Sequence, residues 1–204
     1  MSLPRTEYIA VTSPNPHIVR MKEILKVHPE VKGLYGFHRP TALWALLLVG
    51  IQVAMAFWMQ QSPWWLLLIL SYVVGATINH SLFVLLHEAT HNLIFKRPIN
   101  NRIMGLIINI PHVFPSSMQF FKYHMLHHTN QSEFDYDADL ASKDEATWIH
   151  NSRWRKFLTM FFFSFVQGTV RPSRLKKVKF LDGWFIINIL SQVLFMALVF
   201  YFIG

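Results

Sequence analysis

The sequence predicts an all-α integral membrane protein: a helical hairpin, interfacial helices and a third span. Three observations carry that expectation. Hydrophobic residues make up 52% of the 204-residue chain and gather in blocks. Three of these blocks carry no charge and are long enough, at about 1.5 Å per helical residue, to cross roughly 30 Å of hydrocarbon. The cations also avoid the loop between the first two blocks.

In chain order, the first forty residues are polar and hold no apolar run, which argues against a cleaved secretory signal. Ser2 stands where N-myristoylation requires glycine, so attachment rests on the spans. The first span is expected at about 42–59, ALWALLLVGIQVAMAFWM, with Gln52 as its single amide. The second is expected at about 64–86, and only QQSP joins the two, which makes a hairpin. Trp58, Trp64 and Trp65 cluster where both helices meet the interface, as aromatic belts do. A third run, WFIINILSQVLFMALVFYFIG, occupies 184–204. Two shorter runs, 103–118 with Pro111 and Pro115, and 157–170, are expected as interfacial or half-inserted helices. The segment MFFFSF, 160–165, is either such a helix or the lining of a lipid slot.

Charge gives the sidedness. The formal net charge is +8. Arg5, Arg20, Lys22, Lys26, Lys32 and Arg39 precede the first span, and the remaining Lys and Arg all lie between 96 and 179. By the positive-inside rule the N-terminus and the 87–183 segment are cytosolic and QQSP faces outward. The positive charge is thus a signal of topology and lipid headgroups, with nucleic acid a weaker reading. The third run is then expected to cross outward, which leaves an expected return crossing missing.

There are no cysteines, which excludes disulfides, thiolate nucleophiles, iron–sulfur clusters and cysteine zinc sites. Any metal must be held by histidine or carboxylate. Five of the eleven histidines fall in two tight groups. His87 and His91, in LLHEATHN, are four apart and share a helical face; His124, His127 and His128, in YHMLHHTN, share another. Imidazole suits zinc, iron, copper and nickel, and five imidazoles exceed the needs of one tetrahedral zinc. The groups therefore favour two redox-active ions. His80 precedes His87 by seven residues on nearly the same face, and is as well explained by a hydrogen bond with Asn79 or another helix. His17, His28, His38, His112 and His150 lack grouped partners and read as surface or interfacial residues.

HExxH is also the signature of zinc proteases, with Glu88 as general base. Intramembrane metalloproteases resembling the site-2 family take a third ligand from a later LDG, present here at 181–183. That reading leaves His124, His127 and His128 without a role and ranks behind the two-ion reading.

HxxxH at the end of a span followed by HxxHH resembles the membrane fatty acid desaturase and hydroxylase superfamily. NPHIVRMKEILKVHPEVKGLYG (15–36), INHSLFVLLHEATHN (78–92) and FKYHMLHHTNQSEFDYDADL (121–140) resemble, more narrowly, the sphingolipid Δ4-desaturase (dihydroceramide desaturase) family. The resemblance implies a cytosolic signature segment over 1–41 and a membrane desaturase domain over 42–204. It implies two iron ions ligated by His87, His91, His124, His127 and His128. The activity implied is an O2-dependent insertion of a trans C4–C5 double bond into dihydroceramide, with electrons from cytochrome b5 and NAD(P)H. Such an enzyme sits in the endoplasmic reticulum of a eukaryote or the inner membrane of a bacterium. C4-hydroxylation of the same sphingoid base is the alternative outcome. Glu88 becomes an acceptor that orients an imidazole or an interfacial carboxylate. Asp135, Asp137 and Asp139, spaced by two, are expected first in a solvated acidic loop, with places behind the ligands or at the lipid headgroup as the alternatives.

The family carries a third histidine box after a fourth span, and nothing after His150 matches it. The architecture expected is therefore an incomplete four-span desaturase. A truncated chain is expected, with iron bound weakly or not at all unless complemented, and a non-catalytic membrane fragment becomes a further alternative.

Overall fold

The computed structural model describes residues 13–175, 179 and 181–203. Residues 1–12 of the N-terminal segment, Ser2 among them, and Gly204 at the end of the third run lie outside the described residues. All regular elements among the described residues are helical. Three stretches are long and apolar enough to span a membrane: Pro40–Gln61, Trp64–Thr90 and Gly183–Phe202. The protein is an all-α integral membrane protein, as expected. The second stretch runs four residues past the apolar block, because His87–Thr90 continue the helical hydrogen bonding although they are mostly polar.

The chain divides into two compact units, one of residues 36–122 with 179–204 and the other of the segments up to 35 and from 123 to 178. The first holds all three spans. Helix α1 (Pro16–Val27) belongs to the second unit. In the first, α2 (Pro40–Trp58) begins with proline at a position whose N–H has no intrahelical partner to lose. Then come α3 (Trp64–Leu70) and α4 (Ala76–Thr90), which form one span interrupted by a π turn at Ser71–Gly75. Helix α5 (Pro98–Asn109), the start of α6 (Ser117–Thr129) and, at the end of the chain, α11 (Gly183–Ile203) complete it.

Apolar burial alone does not hold helices together in lipid, because the tails are as apolar as leucine; close packing of small residues and polar contacts do. Ala42, Ala45 and Val49 of α2 accordingly form one core with Ile78, Leu82, Leu86 and Ala89 of α4. The larger side chains Leu43, Trp44, Leu46, Tyr72 and Val73 are exposed, as a lipid-facing surface requires. The π turn loosens the carbonyl ladder, and polar side chains occupy the freed groups. Gln52 Nε2 donates to the Gly75 carbonyl at 3.4 Å, and the Thr77 hydroxyl donates to that of Val73 at 2.8 Å. Helix α5 packs so closely that a Cβ on Gly105 would meet the Phe121 ring at 2.8 Å and Leu86 Cδ1 at 3.3 Å.

The 103–118 run is not one helix. Asn109 ends α5, Pro111 lies in a 3-10 turn, Val113 takes φ 69°, and α6 starts only at Ser117. A buried amide cluster fills this break. Asn188 Nδ2 of α11 donates to Asn109 Oδ1 at 2.8 Å, while Asn188 Oδ1 accepts from the Ser117 hydroxyl (3.1 Å) and the Met118 N–H (3.3 Å). Gln192, one turn on, donates to the Asn109 carbonyl at 2.7 Å. Asp182 caps α11 by accepting from the Phe185 N–H at 2.9 Å, and its other oxygen meets Lys122 Nζ at 2.9 Å.

In the second unit, Asn15 Oδ1 caps α1 by accepting the His17 N–H at 2.9 Å. A 3-10 turn at Pro29–Leu34 follows α1. After the end of α6 come α7 (Lys143–Ile149), α8 (Arg153–Phe161), α9 (Phe163–Phe165) and α10 (Arg171–Ser173). Ser142 and Ser152 cap α7 and α8. Trp154, Phe157 and Phe161 line one exposed face of α8, with Trp154 and Phe157 stacked at 5.3 Å between ring centroids. Helix α8 starts four residues before the expected 157–170 run, and the chain bends at Phe162 and changes to a π turn at Val166–Val170. Arg171 anchors the unit with a two-pronged ion pair to Glu145, at 2.7 and 3.2 Å, both side chains being largely buried.

Replacing Asn188 by leucine leaves Asn109 and Ser117 short of buried partners. Thermal unfolding in detergent is expected to show a loss of about 1–3 kcal/mol for Asn188→Leu, against little change for Leu190→Ala on the exposed side of α11. Asp182 gives a pH signature. Its burial raises the carboxyl, but the Lys122 ammonium and the Phe185 N–H outweigh that and hold it below its ordinary value of 3.8. A depressed folded-state value means that the stabilisation is complete above the ordinary value and is lost as pH falls through the folded one. The stability advantage of the wild type over Asp182→Asn should therefore persist at pH 5 and shrink below about pH 4. Melting curves across that range check it.

Candidate metal centre

The first histidine group lies where α4 ends. His91 is the C-cap; Asn92 N–H donates to the Ala89 carbonyl at 2.9 Å and Leu93 N–H to that of Glu88 at 3.1 Å. Asn92 takes φ 58°. This is the Schellman arrangement, in which a left-handed residue after the cap satisfies the last carbonyls. Asparagine tolerates that conformation better than most residues. The helix holds the His87 and His91 rings side by side, 4.6 Å between centroids. Buried Asn101 clamps the turn that follows: it accepts from the Phe95 N–H at 3.0 Å and donates to the carbonyls of Phe95 and Arg97.

The second group follows from α6. Four residues apart on one face, His124 and His128 bring their Nε2 atoms to 3.0 Å. With metal–nitrogen bonds of about 2.1 Å, that separation subtends roughly a right angle at a common ion. His127 is turned by a carboxylate behind it. Its Nδ1 lies 2.9 Å from Asp137 Oδ1 and 3.2 Å from Asp139 Oδ2. Asp137, only 2% exposed, also accepts the backbone N–H groups of Ser132 and Asp139, each at 2.8 Å. Burial pushes the Asp137 carboxyl up, but the Ser132 N–H, the His127 ring and the Asp139 N–H together hold it below the usual range.

The solvated acidic loop expected at 135–139 is therefore wrong for Asp137, although Asp139 is exposed. The chain turns at Ser132, φ 69°, and folds the carboxylate inward. Arg174 and Gln167 support this loop: Arg174 donates to the Asp137 carbonyl at 2.6 Å, and Gln167 Nε2 to the Asp139 carboxylate. These two residues were not singled out in the sequence, and nothing in their spacing marks them. The Glu88 carboxylate is 3.7 Å from His87 Nδ1, beyond hydrogen-bond reach. His80 is exposed on α4, and His17, His28, His38 and His150 are exposed too, while His112 is half-buried against the Ile108 carbonyl at 3.0 Å. Asp182, the third ligand of the protease reading, has both oxygens committed to Lys122 and to the cap of α11.

Each group, taken by itself, offers donors that suit a histidine-bound metal: the first a pair of imidazoles, the second a pair and a ring facing a carboxylate, and neither a thiolate. Lipid-exposed spans and grouped imidazoles define an integral membrane protein with histidine-rich candidate metal groups. Comparison with known proteins narrows the class. The profile of the family described as fatty acid desaturase matches residues 62–204, and that of sphingolipid Delta4-desaturase matches 4–39. The chain belongs to the fatty acid desaturase family. It is 36% identical to a Drosophila melanogaster sphingolipid delta(4)-desaturase, over 98% of this chain and 62% of that one. A Candida albicans sphingolipid delta(4)-desaturase is 33% identical over 88% of this chain and 48% of its own length. A Caenorhabditis elegans relative, described provisionally as a sphingolipid delta(4)-desaturase/C4-monooxygenase, is 33% identical over the whole chain and 56% of its own length. The chain thus spans roughly half to three-fifths of the relatives it matches. No solved structure matches it.

The turn after His91 gives a direct check. A β-branched residue in the left-handed conformation is strained by about 1–2 kcal/mol. Asn92→Val should lower the melting temperature in detergent, and Asn92→Gly should leave it nearly unchanged.

Proposed function

We propose that this protein is part of, or is, an enzyme that removes hydrogen from C4 and C5 of a dihydroceramide or related sphingoid base to leave a trans double bond. The observation that carries the reading is the match of residues 4–39 to the sphingolipid Delta4-desaturase profile, joined to relatives that bear that name. Two irons held by His87, His91, His124, His127 and His128 would supply the oxidising chemistry, with O2 as oxidant and electrons from NAD(P)H through cytochrome b5. For desaturation, one CH2–CH2 unit, one O2, two electrons and two protons give one CH=CH and two waters. For hydroxylation the same O2, electrons and protons give one C–OH and one water.

The chain's own residues have separate tasks. The imidazoles bind the metal, the Asp137 carboxylate turns one of them, and the apolar spans keep the acyl chain in a water-poor medium where the reacting carbons are shielded. The spread of cations supports a cytosolic N-terminus and a cytosolic 87–183 segment, with QQSP on the far side. On this reading the histidines lie on the side where a soluble electron-donor domain docks. The endoplasmic reticulum, or the inner membrane of a bacterium, is the membrane this reading names. The C4-hydroxylase outcome stays as a second reading, favoured by the double description of the Caenorhabditis elegans relative.

The test is lipid analysis of cells that make dihydroceramide but no Δ4-unsaturated base, expressing the natural polypeptide that carries these residues. The 4,5-trans-unsaturated product is expected, with at least a hundredfold loss for His124→Ala at equal membrane expression, since removing a ligand removes the metal chemistry. A 4-hydroxylated product alone replaces the first reading by the second. Absence of both products, with the protein present in the membrane, contradicts the reading.

A further inference from the structure

We infer that Asp137 is a positioning residue: it keeps the proton of His127 on Nδ1 and so assigns Nε2 as the nitrogen that faces the metal. The inference rests on the metal reading proposed above, and it names which atom of this ring does the work and which residue decides it.

The argument starts from lone pairs. A neutral imidazole carries a proton on one nitrogen and a lone pair on the other, and the partner of either nitrogen selects the tautomer. His127 Nδ1 lies 2.9 Å from one carboxylate oxygen and 3.2 Å from another. A lone pair on Nδ1 would point at two anions at these distances. A proton there makes a charge-assisted hydrogen bond, so Nδ1–H is strongly preferred. Nε2 is then left with the lone pair. The alternative, a cation shared by Nδ1 and the two carboxylates, meets an obstacle at Asp137. Its Oδ1 already accepts the Asp139 N–H and its Oδ2 the Ser132 N–H, both at 2.8 Å. These donors aim positive dipoles at the oxygens that a cation would need.

The carboxylate is also held from behind. It is 2% exposed, its own carbonyl accepts from Arg174 at 2.6 Å, and the Arg174 guanidinium lies over the Phe134 ring at 4.5 Å. Asp139, 51% exposed and 3.2 Å from the ring, is placed as a secondary acceptor. Asp135, two residues from Asp137, serves as the control of equal charge. An asparagine at 137 keeps the volume but can accept at one oxygen only, and its NH2 can donate to the ring. Asp137→Asn should therefore release the ring to the other tautomer.

Two readouts test this in detergent, the first in the 204-residue chain and the second in the natural polypeptide that carries these residues. The first is the nitrogen spectrum of ¹⁵N-histidine-labelled protein without metal, the His127 signals assigned by loss in His127→Gln. Wild type should show His127 protonated at Nδ1, and Asp137→Asn should shift it toward the Nε2-protonated form while Asp135→Asn does not. Wild-type His127 protonated at Nε2, or a tautomer unmoved by Asp137→Asn, overturns the inference whatever the protein binds. The second is cobalt(II) titration followed by visible absorption. Asp137→Asn should weaken binding by about 10–100-fold, the usual effect of losing an acceptor behind a ligating imidazole. Equal cobalt affinity in wild type and Asp137→Asn sinks this inference and leaves the metal reading standing. No cobalt binding by the wild type sinks the metal reading, and the ligand role of Nε2 with it. Circular dichroism of each variant confirms that the helices are retained, and a loss of fold alone would not move a tautomer in one direction.

Discussion

A carboxylate taken out of water must be met by donors, and the second unit is arranged around one such group. Asp137 gathers the N–H groups of Ser132 and Asp139, the ring of His127 and, through its carbonyl, Arg174. The loop from 130 to 139 has its shape because these donors converge, and α6 ends where that loop begins. Arg171 repeats the theme a few residues earlier than Arg174. It pairs with Glu145 and also donates to the Asp139 carbonyl at 2.8 Å, so the acidic loop is held from two sides by cations of one short helix. Removing one partner of such a buried set costs more than the set contributes as a whole, because the remaining charge stays buried.

The spanning unit uses neutral amides for the same purpose. A buried break leaves backbone groups out of reach of water, so the turn between α5 and α6 is tolerable only where side chains replace the lost bonds. Asn109, Asn188 and Gln192 do this, and they also fix α11 against the turn from which α6 starts. Lipid-facing leucines and phenylalanines would let α11 rotate or slide; two amides one turn apart, with defined partners, do not. Specific polar contacts thus set the geometry that apolar burial cannot set in this solvent.

Much of the fold was legible in the sequence, because a span is defined by length and absence of charge. The three runs announced themselves, and so did the hairpin closed by QQSP. The extension of α4 to Thr90 was not legible: a polar helical end leaves no hydropathy signal. The π turn at Ser71–Gly75 was equally silent, although Gln52 was the one amide of its span and now has a partner in Gly75. Asn188 and Gln192, four apart in an uncharged run, are the one sequence signal for the amide cluster, and spacing alone does not name their partners. In the candidate site, the spacing of the five histidines was enough to group them by helical face. The role of Asp137 was not, since three aspartates spaced by two look alike until the turn at Ser132 decides which one faces inward. His80, near in sequence and in helical phase to His87, is exposed on α4, which spacing alone does not reveal.

Under the proposed function the grouped imidazoles serve a two-iron centre rather than a single zinc. Metal content and X-ray absorption of the natural polypeptide that carries these residues, purified with iron supplied, test it most directly. Two irons per chain, with nearest ligands dominated by imidazole nitrogen, are expected. One zinc per chain in a four-coordinate shell, insensitive to loss of His124 and His128, would contradict it.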